Sequence, residues 1–216
     1  MRKLNRERRK KVRFFLTSCN SSSLVIDTLG DGKAEAGEQD VAVACFYFDF
    51  AAQQEQSAAS MLGTLLKQVV SGFDPIPKVI IDLFQERKKT IGGLRLRLPE
   101  IVMILGRLSS WQRTFLCLDA LDECAAADRA KILFSLRDIV EMSPTTRVFM
   151  TGRPHVGDEV ERLYRGAVSF VSISPQKSDI IQYIQRKLNE DSAPNEMDKK
   201  LKREIEGEIP ETLSEV

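Results

Sequence analysis

The chain has 216 residues, 43% hydrophobic and 29% charged, with a formal net charge of +1. That size and apolar fraction suit one core-forming domain plus a tail. The near-neutral balance gives no global electrostatic case for nucleic acid or an anionic membrane as partner. The longest apolar runs, such as Ile101 to Leu105, fall far short of the ~20 residues of a membrane-spanning helix. The cysteines Cys19, Cys45, Cys117 and Cys124 form no CxxC pair, and two of them, Cys45 and Cys117, sit inside apolar runs. That usage points to a reducing, cytoplasmic setting and away from a disulfide framework or a zinc site.

The first stretch is a basic head: Arg2, Lys3, Arg6, Arg8, Arg9, Lys10, Lys11 and Arg13, with Glu7 the only acid. Residues 1–20 show no period and read as irregular. Ser21 to Ser23 can cap a short helix through Leu24, Val25, Ile26 and Leu29, ended by Gly30. A loop follows from Asp31 to Asp40. The β-branched and aromatic run Val41 to Phe48 reads as a strand buried on both faces. Ser57 is placed to cap a helix whose apolar stripe runs through Met61, Leu62, Leu65, Leu66 and Val69. Pro75 and Pro99 open two further helices. Between these two helices, Arg95 and Arg97 alternate with leucines, as in a half-exposed strand or turn.

Thr114 to Leu118 is a second buried strand, running into Asp119-Ala120-Leu121-Asp122-Glu123-Cys124. A helix follows from about Asp128 to Glu141. A third strand, Arg147 to Thr151, ends in Gly152-Arg153-Pro154. His155, the only histidine, falls in the next loop, and a short helix spans about Val156 to Tyr164. Ala167 to Ile173 is a fourth strand, and Ser178 caps a helix through Ile180, Ile181, Ile184 and Leu188. Residues 191–216 form a charged tail that starts another helix. Strands alternating with helices imply a three-layer α/β fold, a parallel sheet with helices on both faces. Ligands of such sheets bind at the carboxyl ends of the strands. That places Asp49, Asp119 and Thr151-Gly152-Arg153 on one rim.

The most informative feature is the carboxylate at the tip of the second strand. A buried strand is rigid, so Asp119 is fixed in space; Mg²⁺ needs few fixed protein ligands when phosphates and waters complete its octahedron. A second acid three or four residues on can orient an attacking water. The bland alternative is that Asp119 merely ends a strand and Asp122-Glu123 cap the helix from Asp128.

Phe46-Tyr47-Phe48-Asp49-Phe50, then Leu118-Asp119-Ala120-Leu121-Asp122-Glu123-Cys124, then Met150-Thr151-Gly152-Arg153-Pro154 stand in the order and spacing of NACHT-domain P-loop NTPases, of the STAND class. The chain most resembles the nephrocystin-3-like N-terminal modules of filamentous fungi, from about Ser21 to Leu188. The resemblance implies a signal-transduction module using Mg²⁺ and ATP or GTP. In it, Asp119 would bind the metal, Asp122 or Glu123 would position water, and Arg153 would be the sensor 1 residue reading the γ-phosphate. It also implies a core over 21–190.

One departure from the family is large. A Walker A loop, GxxxxGK[ST], wraps the phosphates in backbone amides and neutralises them with lysine. It should precede the helix at Ser21, where this chain has Arg13-Phe14-Phe15-Leu16-Thr17-Ser18-Cys19-Asn20, without glycine or lysine. Asp27-Thr28-Leu29-Gly30-Asp31-Gly32-Lys33-Ala34 lacks the first glycine, ends in alanine and follows the helix, so Lys33 reads as a loop lysine. The sheet is therefore expected to be incomplete at the strand preceding the P-loop, unless Val12 to Leu16 fills that central slot. The leading expectation is a truncated or degenerate module acting through protein partners or self-association, with weak or no nucleotide binding and no hydrolysis. Two alternatives stay open. One is an active NTPase whose loop lies in a fuller gene product or comes in trans. The other is a nucleic-acid adaptor working through the basic head.

Overall fold

The computed structural model describes residues 12–17, 41–89, 96–173, 177–189 and 198–214. The chain divides into two compact units, Met1–Ser172 and Ile173–Val216. The family resemblance implies a core ending at residue 190, with a charged tail from 191. The basic head up to residue 11, the helix expected at Ser21, the loop holding Lys33, and Arg95 lie outside the described residues.

Among the described residues five strands form one sheet: β1 Val12–Thr17, β2 Val41–Tyr47, β3 Arg113–Asp119, β4 Thr146–Gly152 and β5 Val168–Ile173. Their order is β2-β3-β4-β1-β5. The registered ladders are parallel, with Val41 opposite Arg113, Thr114 opposite Thr146 and Val12 opposite Val148. Val12–Thr17 thus fills the central slot, between β4 and β5. The strand order changes direction beside β1, and a crevice opens at such a switch point beyond the carboxyl ends of the strands.

The first unit carries five helices among the described residues: α1 Ala58–Ser71, α2 Lys78–Lys88, α3 Leu98–Trp111, α4 Ala126–Met142 and α5 Pro154–Tyr164. One face of the sheet is built from Phe14, Ala44, Leu116, Val148 and Met150, all fully or almost fully buried. These join α1, α3, α4 and α5 in a single apolar cluster. On the opposite face Cys117 is buried but lies outside that cluster. Each fully buried Leu or Phe contributes roughly 1.5–3 kcal/mol, so the layer facing α1, α3, α4 and α5 holds the sheet together. The second unit contains α6 Lys177–Asn189 and α7 Lys199–Ser214, which pack against one another.

Several local expectations hold at the atomic level. Ser57 Oγ accepts from Ser60 N at 3.2 Å and caps α1. Pro99 sits in the first turn of α3. Others are corrected. Pro75 does not open α2, which starts at Lys78. Arg97 belongs to no strand: it is the N-cap of α3, its N–H donating to Glu100 Oε2 at 2.7 Å. Ser178 lies inside α6, which starts one residue earlier. His155 is exposed in the first turn of α5 rather than in a loop, because Pro154 pre-sets the helical φ one residue sooner.

Edge strand β2 has its own protection. The Gln68 side chain on α1 accepts from Cys45 N and donates to Cys45 O, both at 2.8 Å. An amide side chain thereby stands where a neighbouring strand would pair, which blunts an edge that could template association.

Candidate functional site: the acidic rim

The rim is organised by the ends of β3 and β4. Asp119 closes β3 and stays in line with β2 through the Phe48 N to Asp119 O bond of 3.1 Å. The next residue, Ala120, takes the left-handed conformation at φ 54, ψ 47. For a residue with a Cβ this costs about 1 kcal/mol, and the turn is held from β4. Ala120 N donates to Thr151 Oγ1 at 3.0 Å, while the same hydroxyl donates to Asp119 Oδ1. Thr151 is buried, so its hydroxyl is a fixed bracket between the two strand ends.

A short 3₁₀ turn, Leu121–Glu123, follows. Leu121 drops into the core, and the two acids after it, Asp122 and Glu123, turn to different partners. Asp122 has a side-chain exposure of only 9%, and its Oδ2 lies 3.2 Å from Arg153 Nε. Its Oδ1 accepts from Arg153 N at 3.3 Å. Both carboxylate oxygens are therefore committed to Arg153, at the threshold of α5. Glu123 faces the other way. Its Oε2 accepts from Phe50 N at 3.1 Å, and its backbone oxygen accepts from Gln53 Nε2 at 2.8 Å. Asp49 caps the neighbouring 3₁₀ turn, with Oδ1 accepting from Ala51 N at 2.9 Å. The expectation that Asp122-Glu123 cap the following helix does not hold: α4 begins after Ala125 with no side-chain cap.

Gly152 allows this packing. A Cβ there would stand 3.1 Å from Phe14 Cζ and 3.4 Å from Asp122 Oδ1. The turn carrying the acids, the end of β4 and the ring on β1 meet at this one position. Arg129 is a residue that motif reading overlooked. From α4 its Nε pairs with Glu159 Oε2 and its Nη1 donates to Cys124 O, both at 2.8 Å. It straps the acidic turn to α5. A cation in the first turn of a helix opposes the macrodipole, and that anomaly is the signal in the sequence that could have marked it.

The thiols beside the site are protonated. Burial pushes Cys124 up to about 11, only partly offset by the Arg129 cation. Cys117, opposite Cys45 in the β2–β3 ladder, is driven up first by the hydrogen bond with that thiol and then by burial. Neither is a nucleophile at neutral pH. Among the described residues no group of three or more His, Cys, Asp or Glu side chains could hold a metal ion. No helix among them is long and apolar enough to cross a membrane.

A parallel sheet whose acidic strand tip, threonine bracket and arginine share one rim is the α/β architecture of P-loop NTPase-type domains. A family model, that of the nephrocystin 3 N-terminal domain, matches residues 20–153. The match covers more than half of the chain, and the chain belongs to this family.

Solved structures show more distant likenesses. A DNA replication initiation factor is 13% identical, with a TM-score of 0.43 over 96% of this chain and 57% of that one. A Walker-type ATPase of Pyrococcus abyssi is 11% identical, TM-score 0.42, over 96% of this chain and 60% of that one. A chain of Drosophila ORC bound to AT-rich DNA and Cdc6 is 9% identical, TM-score 0.46, over 87% and 66%. The chain thus spans little more than half the length of the first two. Likenesses this distant carry no argument about activity. No curated protein matches the chain significantly.

Proposed function

We propose that this chain is a regulatory, protein-interacting NACHT-type module that binds nucleotide weakly or not at all. The observation that carries the reading is how the rim acids are used. Asp122 has both oxygens on Arg153 and Glu123 holds Phe50 N–H. Asp119 already accepts from Thr151 with one oxygen. Beyond β1 the sequence runs Ser18-Cys19-Asn20, with no glycine for an amide cradle and no lysine for the phosphates. A magnesium–nucleotide complex depends mainly on that cradle. One half-occupied carboxylate does not replace it, so the residues present do not fit the group.

In this reading Asp122 and Glu123 position backbone, not water. Arg153 is held by its own chain instead of reading a phosphate. Function then lies in surfaces offered to partners or to further copies of the chain.

The second reading is an NTPase completed by a phosphate loop from a fuller gene product or in trans. It is favoured by one fact: Asp119, Thr151 and Arg153 still converge on the rim. Calorimetric titration with Mg-ATP and Mg-GTP decides between them, with Asp119→Ala run in parallel. The expected result is no saturable heat for either nucleotide. Micromolar binding that disappears in Asp119→Ala would refute the first reading and restore the second.

A further inference from the structure

At the opposite pole, where the strands begin, α4 and α5 enclose a hollow of about 620 Å³. That is the scale of small-molecule sites, about 300–1,000 Å³. Arg137 from α4, and Arg162 and Arg165 from the end of α5, line it against a single lining carboxylate, Glu141. Val12, the first residue of β1, borders it too.

The three guanidinium groups are poorly used by the protein. Arg137 lies 3.5 Å from Asp138 and 3.8 Å from Glu141, both long for charge-assisted bonds. The second of these is made by its buried Nε, which has no hydrogen bond beyond that ion pair. Arg162 Nε reaches only the backbone oxygen of Asp158, at 3.3 Å. The Arg165 side chain has no hydrogen-bond or ion-pair partner among the described residues.

The backbone adds an independent sign. Arg165 sits at φ 44, ψ 56, in the left-handed region, directly before Gly166 at φ 78. Glycine or asparagine would hold this helix end without the penalty of about 1 kcal/mol. Strain retained at the lip of a cleft is a reason to look for a use of the side chain. The simplest alternative is that Arg162 and Arg165 answer the negative end of α5, worth about 0.3–1 kcal/mol each. That accounts for the charge. It leaves unexplained the left-handed arginine. The floor of the hollow is apolar: Leu163 lines it beside Phe134, which is half exposed with the Arg137 guanidinium 5.2 Å above its ring.

The geometry points to a binding site for a small phosphorylated compound with a flat apolar group. The phosphate would be held by Arg162 and Arg165, with the apolar group along Phe134 and Leu163. Guanidinium forks match phosphate oxygens in pairs, and a guanidinium–ring stack offers a surface for a planar group. This site is independent of the rim.

The test is titration of the full chain with phenyl phosphate, followed by calorimetry and by amide NMR shifts. Inorganic phosphate and a polyglutamate peptide serve as comparison probes. Phenyl phosphate is expected to bind saturably and more tightly than inorganic phosphate. Affinity should fall about tenfold or more in Arg165→Asn, the cost of one charged hydrogen bond; asparagine keeps the left-handed turn. Arg162→Gln should weaken binding as well, and Asp119→Ala should leave it unchanged. Absence of saturable binding, or the parent's affinity retained in both arginine variants, overturns the proposal. So does loss of binding in Asp119→Ala, which would put the ligand at the rim. Binding of polyglutamate without phenyl phosphate would make the hollow a protein-docking surface and also overturn it.

Discussion

Replacing Gly152 by alanine probes the least expected feature of the fold, the seating of Val12–Thr17 in the middle of the sheet. The new Cβ would lie 3.1 Å from Phe14 Cζ, whereas carbon pairs prefer about 3.5–4.0 Å. Phe14 is wholly buried, so its ring can yield only by disturbing close-packed neighbours. Overpacking of this kind costs about 1–3 kcal/mol. Loss of glycine freedom in the unfolded chain returns about 0.4–1 kcal/mol. The net expectation is a destabilisation of about 1–2 kcal/mol. With a urea slope near 2 kcal/mol/M, the midpoint should fall by about 0.5–1 M.

Circular dichroism, with the fluorescence of the single tryptophan Trp111 as second probe, follows the transition. In a Phe14→Leu background the ring end is gone, and Gly152→Ala should cost almost nothing, a coupling of about 1 kcal/mol or more. If Gly152→Ala is as stable as the parent, or the two changes simply add, Phe14 does not lie on Gly152 and β1 is not where the structure has it.

Two further outcomes follow from the same geometry. Gln68→Leu removes both bonds to Cys45 at once and should cost about 1–2 kcal/mol; with the β2 edge unblocked, sedimentation velocity should show more self-association than the parent. The Cys124 thiol is raised in the folded chain from 9.0 to about 11. Its protonated form therefore contributes stability that is whole below pH 9 and is lost as pH rises through about 11. The loss is at most about 3 kcal/mol, and Cys124→Ala should flatten it in urea titrations across that range. An unchanged slope in the variant would assign the alkaline loss to other groups.

Much of the frame is legible along the chain because its causes are local. Met61, Leu62, Leu65, Leu66 and Val69 mark α1 by helical spacing, and all are buried there. The apolar run before Asp119 marks β3 for a similar reason, since a strand covered on both sides has little room for polar residues. Ser57 announces its cap by residue type and position, and the acids of the rim stand at a strand tip that composition alone locates. The family resemblance rests on these same short strings.

What the side chains of the rim do is decided at longer range. Asp122 meets the Arg153 backbone across 31 positions of sequence, Glu123 meets Phe50 across 73, and Gln68 meets Cys45 across 23. None of these pairings has a local signature, because each depends on which strand lies beside which. The order β2-β3-β4-β1-β5 sets β1 against β4, although more than a hundred residues separate them. That order turns Gly152 into a contact point and brings Asp122 and Glu123 against the backbone N–H groups of Arg153 and Phe50. Residue type and spacing determined that a carboxylate would stand at the end of a buried strand. Only the packed sheet decided what that carboxylate touches, since a hydrogen bond needs an approach to about 3 Å that no one-dimensional pattern encodes.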